Sequence, residues 1–201
     1  MKTIRRALVS VWRKEGLVPL VEALRRYDVE VLSTGGTAAV LSEHGLPVTL
    51  VETYTGVPSM LGGRVKTLHP RVHGSILARR DDPLHQAEAA KYDFDFIDLV
   101  VVDLYPFEAV VQQQGVDLAT ALEHIDIGGP TMLRAAAKNF PDVTVVCDPG
   151  LYDVVVAEVH QYGGATSFAL RQRLALEAFR RTAAYDSAIS AYLRQIVGVD
   201  A

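Results

Sequence analysis

One cysteine in 201 residues, Cys147, leaves no partner for a disulfide within the chain and too few thiolates for a cysteine-rich metal site. It closes the apolar run 143–147 and reads as a small buried hydrophobe. Long apolar stretches are also missing. The strongest, 97–104, carries Asp98 and Asp103 and is too short to cross a bilayer. Near the N-terminus only 7–11 is continuously apolar, less than the core of a secretory signal needs, so a cytoplasmic location is the expectation. There is no internal repeat and no low-complexity tract. His44, His85, His124 and His160 are scattered without metal-ligand spacing, and no Ser-His-Asp or Cys-His arrangement can be drawn. A net charge of -4 argues against nucleic acid as the main partner. The most informative absence is local: no Asp or Glu occurs between Thr53 and Arg80.

That acid-free window holds Gly62-Gly63-Arg64-Val65-Lys66-Thr67-Leu68-His69-Pro70-Arg71-Val72-His73, a basic stretch in an acidic chain. A solvated basic loop is the plain reading; an anion-facing loop is the functional one. If the stretch runs extended, Arg64 and Lys66 point to one side, because side chains alternate with period two. The rest of the chain is ordinary for a globular domain, with 49% apolar and 22% charged residues. Apolar runs at 7–11, 29–33, 47–51, 97–104 and 143–147 read as strands. Leu17, Leu20, Val21 and Leu24 recur at helical spacing. A helix is expected from about Ala38 to Gly45, others after Asp82, Asp117, Gly129 and Asp148, and a last one from Ser167 to about Ile196 with a break near Thr182. Strands alternating with helices predict a mainly parallel α/β sheet, with 1–150 as its core and 151–201 as a helical extension of the same domain.

In such sheets ligands bind beyond the carboxyl ends of the strands. The residues found there are Ser10 and Lys14, then Thr34-Gly35-Gly36-Thr37, then the basic stretch, then Asp103 and Tyr105, with Asp126-Ile127-Gly128-Gly129-Pro130 before a later helix. Thr34-Gly35-Gly36-Thr37 leads straight from strand to helix. It is either a tight turn or a phosphate cradle made of amides at the positive end of a helix dipole. It matches neither the P-loop nor the dinucleotide-binding glycine pattern. Asp126 reads as a helix cap, Tyr105 as a packed turn, His69 as structural, and Lys138 as a solvated cation suited to a helix C-terminus.

Five motifs in order make the chain recognisable: Leu32-Ser33-Thr34-Gly35-Gly36-Thr37-Ala38; Gly62 to Pro70; Leu104-Tyr105-Pro106-Phe107; Ile125 to Thr131; and Arg134-Ala135-Ala136-Ala137-Lys138-Asn139. Over 7–193 the sequence resembles the IMP cyclohydrolase domain of the bifunctional AICAR transformylase/IMP cyclohydrolase family. The resemblance implies a methylglyoxal-synthase-like, Rossmann-like three-layer domain with a mainly parallel five-stranded sheet and a helical C-terminal appendage. It also implies the closure of FAICAR to IMP with loss of water, FAICAR and IMP as the ligands, no metal or other cofactor, no membrane or nucleic-acid partner, and a homodimer.

Carried over by position, Ser10, Lys14, Thr34, Gly35, Gly36 and Thr37 resemble the 5′-phosphate cradle. Arg64, Thr67, Asp103, Ile127 and Gly128 resemble further substrate contacts. Lys66, Tyr105, Asp126 and Lys138 resemble the catalytic set. By this resemblance Lys66 would stabilise the formyl oxygen, Asp126 would take or orient the carboxamide proton, and Tyr105 and Lys138 would relay protons and help water depart. Within the matched stretch the chain departs from the family pattern at two places. Ser10-Val11-Trp12-Arg13-Lys14-Glu15-Gly16 stands where the family has Ser-Val-Ser-Asp-Lys-Thr-Gly, and Asp103 stands where it has Asn. Two other readings fit the same fold: a regulatory nucleotide-binding module like that of carbamoyl-phosphate synthetase, and a lyase like methylglyoxal synthase.

Overall fold

The computed structural model describes residues 1–112 and 115–198. A short strand, β1 (Lys2–Thr3), precedes β2 (Arg6–Val11), whose Ala7, Leu8 and Val9 are fully buried. After α1 (Leu17–Arg25) and β3 (Glu30–Ser33) come α2 (Gly35–Glu43), β4 (Thr49–Leu50) and the short α3 (Val51–Thr55). α4 (Pro70–Leu77) and α5 (Pro83–Lys91) lead to β5 (Leu99–Asp103), buried along its whole length. α6 (Phe107–Val111), α7 (Leu118–Glu123) and α8 (Gly128–Lys138) precede β6 (Thr144–Val146). α9 (Tyr152–Gln161), β7 (Ala165–Thr166) and the long α10 (Phe168–Val197) follow. Helix starts obey local chemistry: the side chains of Asp82, Asp117 and Ser167 accept from the amides of Leu84, Thr120 and Leu170.

The main sheet has the order β4-β3-β2-β5-β6, and every pairing in it is parallel. Its central strands are nearly continuous Val, Leu and Ala because helices cover both faces. The chain builds outward from β2 to β3 and β4, then returns to place β5 on the other side of β2. The carboxyl ends of β2 and β5, where Val11 pairs with Asp103, therefore form a topological switch point. α8 lies on β5 and β6 between α4 and α10, while α1 packs on α9. Buried Arg171 of α10 donates to the carbonyls of Phe140, Pro141 and Thr166 at 2.9, 3.1 and 2.6 Å, which offsets the cost of burying its charge. No helix among the described residues is long and apolar enough to cross a membrane.

The five strands and the parallel sheet follow the sequence pattern, but several details differ. α2 starts at Gly35 rather than Ala38, so the two glycines form its first turn. The third strand keeps only Thr49–Leu50, and Val51 already opens α3. The basic stretch is not extended. Gly62 and Gly63 have φ of 65° and 99°, and the 3-10 turn Leu61–Gly63 is closed by a bridge between Met60 and Val65. His69 is structural, as expected, and caps α4 by accepting from the Arg71 amide at 3.1 Å. α10 runs through Thr182 without a break. The ribbon of β1 and β7 was not foreseen, since two residues per strand show no periodicity.

Candidate active site

Beyond the switch point lies a cleft of about 900 Å³. One end forms where β2 and β3 stop. The Ser10 and Thr34 hydroxyls meet at 2.7 Å. Thr34 precedes α2 without capping it, so the Gly35 and Gly36 amides stand free of intrahelical bonds at the positive end of the helix. A Cβ on either glycine would meet nothing within 4 Å, which leaves the helix start open to the cleft. The Thr37 hydroxyl bonds both the amide and the carbonyl of Val11 at 3.1 Å, so it locks β2 to α2 rather than standing free for a ligand. Lys14 folds back so that its Nζ donates to the carbonyls of Val11 and Trp12 and lies 3.4 Å from Thr37 Oγ1. Burial holds its pKa below that of an ordinary lysine.

The two departures from the family pattern are one structural unit. Arg13 Nε and Nη2 grip the Asp103 carboxylate at 3.0 and 2.7 Å, and the Arg13 amide adds a third bond at 2.9 Å. Nη2 also reaches Asp148 at 2.8 Å. These partners raise the guanidinium pKa further above its usual value. Both Asp103 oxygens are engaged by Arg13, so Asp103 lines the cleft but serves to fix the turn after β2. Trp12 and Tyr105 meet beside this turn with ring centroids 4.8 Å apart and planes tilted by 43°.

The other end is built from the basic loop and the start of α8. Gly63 lies so near Lys66 that a Cβ there would come within 2.9 Å of Lys66 Cε. Thr67 is buried against Gly128, where a Cβ would fall 2.6 Å from its Oγ1. Only glycine lets the loop approach the helix start this closely. Arg64 pairs with Glu123 of α7 across the mouth of the cleft. Asp126 Oδ1 accepts from the Gly129 amide at 2.8 Å, which makes the expected cap. Burial nevertheless raises the Asp126 pKa above the ordinary carboxylate value, against the lowering effect of the Gly129 and Tyr105 amides.

Fourteen of the fifteen sequence-predicted residues line this one cleft: Ser10, Lys14, Thr34, Gly35, Gly36, Thr37, Arg64, Lys66, Thr67, Asp103, Tyr105, Asp126, Ile127 and Gly128. Lys138 does not. It ends α8, exposed, ten residues after Gly128 and so about 15 Å along the helix axis. Its proton-relay role has no support in the geometry.

Sequence reasoning missed Tyr185. This fully buried residue of α10 accepts from the Asp126 amide at 2.9 Å and donates to the His124 carbonyl at 3.2 Å, holding the Asp126 loop from beneath. Tyr185→Phe is expected to cost about 1–2 kcal/mol in a denaturant melt, since it leaves two part-buried polar groups without this partner.

A parallel α/β layer whose open helix start, Lys66 and half-buried Asp126 line one cleft has the layout of a small-molecule site. Residues 16–131 match the family model of the MGS-like domain, and residues 136–200 match that of the AICARFT/IMPCHase bienzyme. The chain belongs to the MGS-like domain family. It is similar to the bifunctional purine biosynthesis protein PurH of Listeria welshimeri, with 54% identity over 195 residues, 97% of this chain and 38% of that protein. PurH of a Synechococcus species is 55% identical over 96% of this chain and 38% of its own length. The chain thus spans about two fifths of the length of these curated relatives. The crystal structure of ForH superposes with a TM-score of 0.85 and 39% identity, covering 94% of this chain and 96% of that one.

Proposed function

We propose that this chain is an IMP cyclohydrolase, closing FAICAR to IMP in the cytoplasm at the end of purine biosynthesis. One observation carries the reading: Thr37, Lys66 and Asp126, from three separate segments, line a single cleft. The 5′-phosphate goes to the Gly35 and Gly36 amides, Ser10 and Lys14. The carboxamide and formyl groups then lie toward Lys66 and Asp126. Both reacting groups belong to one molecule, so most of the catalytic task is orientation. Asp126 accepts a proton from the carboxamide nitrogen as that nitrogen bonds to the formyl carbon. The formyl oxygen becomes an alkoxide, which the Lys66 ammonium stabilises. The proton held by Asp126 returns to that oxygen, and a second proton, lost from the former formamide nitrogen as the C=N bond forms, leaves with it as water, with Tyr105 beside the leaving oxygen. A homodimer belongs to the same proposal, and the exposed Leu176, Phe179, Leu193 and Ile196 of α10 support a partner surface.

The test is FAICAR turnover followed by ultraviolet absorbance, without metal or folate, against the spontaneous rate. Absence of turnover with retained IMP binding would favour the regulatory-module reading, and elimination from dihydroxyacetone phosphate would favour the lyase.

The pH profile provides a second check. Asp126 must be ionised to accept the proton and its pKa is raised. The rate should therefore fall with decreasing pH on a limb displaced upward from the ordinary carboxylate range near 3.9. Lys14 has a lowered pKa, so it loses its charge sooner than an ordinary lysine. KM should rise on the alkaline side at a lower pH than 10.4. An acid limb that survives in Asp126→Asn would assign it elsewhere.

A further inference from the structure

Trp12 is the chain's single tryptophan, and it stands 48% exposed on the wall of the cleft. Its neighbour Tyr105 is 43% exposed and lines the same wall. Neither ring is packed into the core; each leans on the other and leaves much of its surface facing the cleft. The backbone beneath the indole is tightly held. The Trp12 amide donates to the Asp103 carbonyl at 3.2 Å, its carbonyl accepts from Lys14 Nζ at 3.1 Å, and Arg13 is clamped by Asp103 and Asp148. A surface tryptophan on a loose loop would have none of these restraints.

Its position between two chemistries is the informative part. In sequence Trp12 lies between Ser10 and Lys14, which build the anion end. In space it touches Tyr105, whose amide faces Asp126. A ligand anchored by phosphate at one end and reacting at Asp126 must pass its middle, a flat ring, along this aromatic pair. A serine at position 12, as in the resembling family, offers a hydroxyl to the phosphate end. An indole offers no acceptor or hydroxyl there, only a large π-face and one N–H.

We propose that Trp12 is a specificity-determining residue, forming with Tyr105 a stacking surface for the heteroaromatic ring of a ribonucleoside 5′-monophosphate. Resting on the nucleotide reading above, this assigns ring recognition to a residue outside the phosphate and proton-transfer groups. The chain then discriminates ring-bearing ligands from bare sugar phosphates more strongly than the phosphate cradle alone would. Stacking on one aromatic side chain is typically lost as about a 10- to 100-fold weakening of binding.

The experiment titrates wild type, Trp12→Ala and Trp12→Phe with inosine 5′-monophosphate and with ribose 5-phosphate by calorimetry. Trp12→Ala is expected to bind the nucleotide about 10- to 100-fold more weakly and ribose 5-phosphate within about threefold of wild type. Trp12→Phe should recover most of the loss. Equal weakening for both ligands, or none for the nucleotide, overturns the proposal. Wild-type tryptophan fluorescence, excited beyond the tyrosine absorption band, gives a readout that needs no variant to fold, because Trp12 is the single source of that emission. The nucleotide should quench it and ribose 5-phosphate should not; equal quenching, or none with bound nucleotide, overturns the proposal. If FAICAR is turned over but these ring-dependent differences are missing, the cyclohydrolase reading stands and only the stacking role is lost. If wild type binds neither ligand, both fall.

Discussion

Replacing Lys66 with alanine is expected to lower kcat for FAICAR closure by about 10²–10³-fold, the usual loss when one donor to a developing oxyanion is removed. IMP affinity should change by less than about tenfold, since the product has lost the oxygen that Lys66 addresses. The structure distinguishes Lys66 from the other cation of its loop. Arg64 is already paired with Glu123, whereas Lys66 enters no ion pair among the described residues. Gly63 packs against its methylene chain and steers the ammonium toward the cleft. Single-turnover kinetics with IMP titration separates the two effects. A parallel loss of kcat and affinity would mean that Lys66 holds the ground state and does not favour the alkoxide.

The second large effect concerns folding. In Arg13→Ala the Asp103 carboxylate, with a side chain only 3% exposed, loses both side-chain hydrogen bonds and keeps the one from the backbone amide of residue 13. Breaking a buried pair from one side costs about 3–5 kcal/mol. Because Arg13 is itself nearly half exposed, about 2–4 kcal/mol is expected here, a fall in Tm of roughly 5–15 °C. Arg13→Ala with Asp103→Asn should recover much of that, because a neutral amide is cheaper to bury than an unpaired charge. A double-mutant cycle by thermal melting reads the coupling directly. Additive losses would show that water, not Arg13, satisfies Asp103.

The sheet was legible because its strands are apolar runs of ordinary length, and strand ends are where α/β domains place ligands. The motifs after β2, β3 and β5 therefore came together much as their order implied. Three kinds of feature stayed hidden. Positive φ at Gly62 and Gly63 turns the basic stretch into a 3-10 loop, which alternation of side chains cannot foresee. Arg13 and Asp103 are 90 residues apart, so each looked like a separate departure until the parallel pairing of β2 with β5 joined them. Tyr185 sits in an amphipathic helix where an aromatic reads as core, and its hydroxyl's partner is 59 residues away. Lys138 differs in the opposite direction: it lies in a recognisable motif, yet at the end of its helix it falls outside the lining of this chain's cleft.

The hold of Tyr185 on Asp126 joins two stretches that match different family models, 136–200 and 16–131. A chimera that grafts the ligand-binding half onto another relative's last helix would inherit every residue along the cleft wall. Without a tyrosine at the matching turn it would still lack its keystone. Segment exchange between relatives should therefore succeed in pairs, and a mismatched hybrid should fold with the rest of its cleft intact but Asp126 out of register.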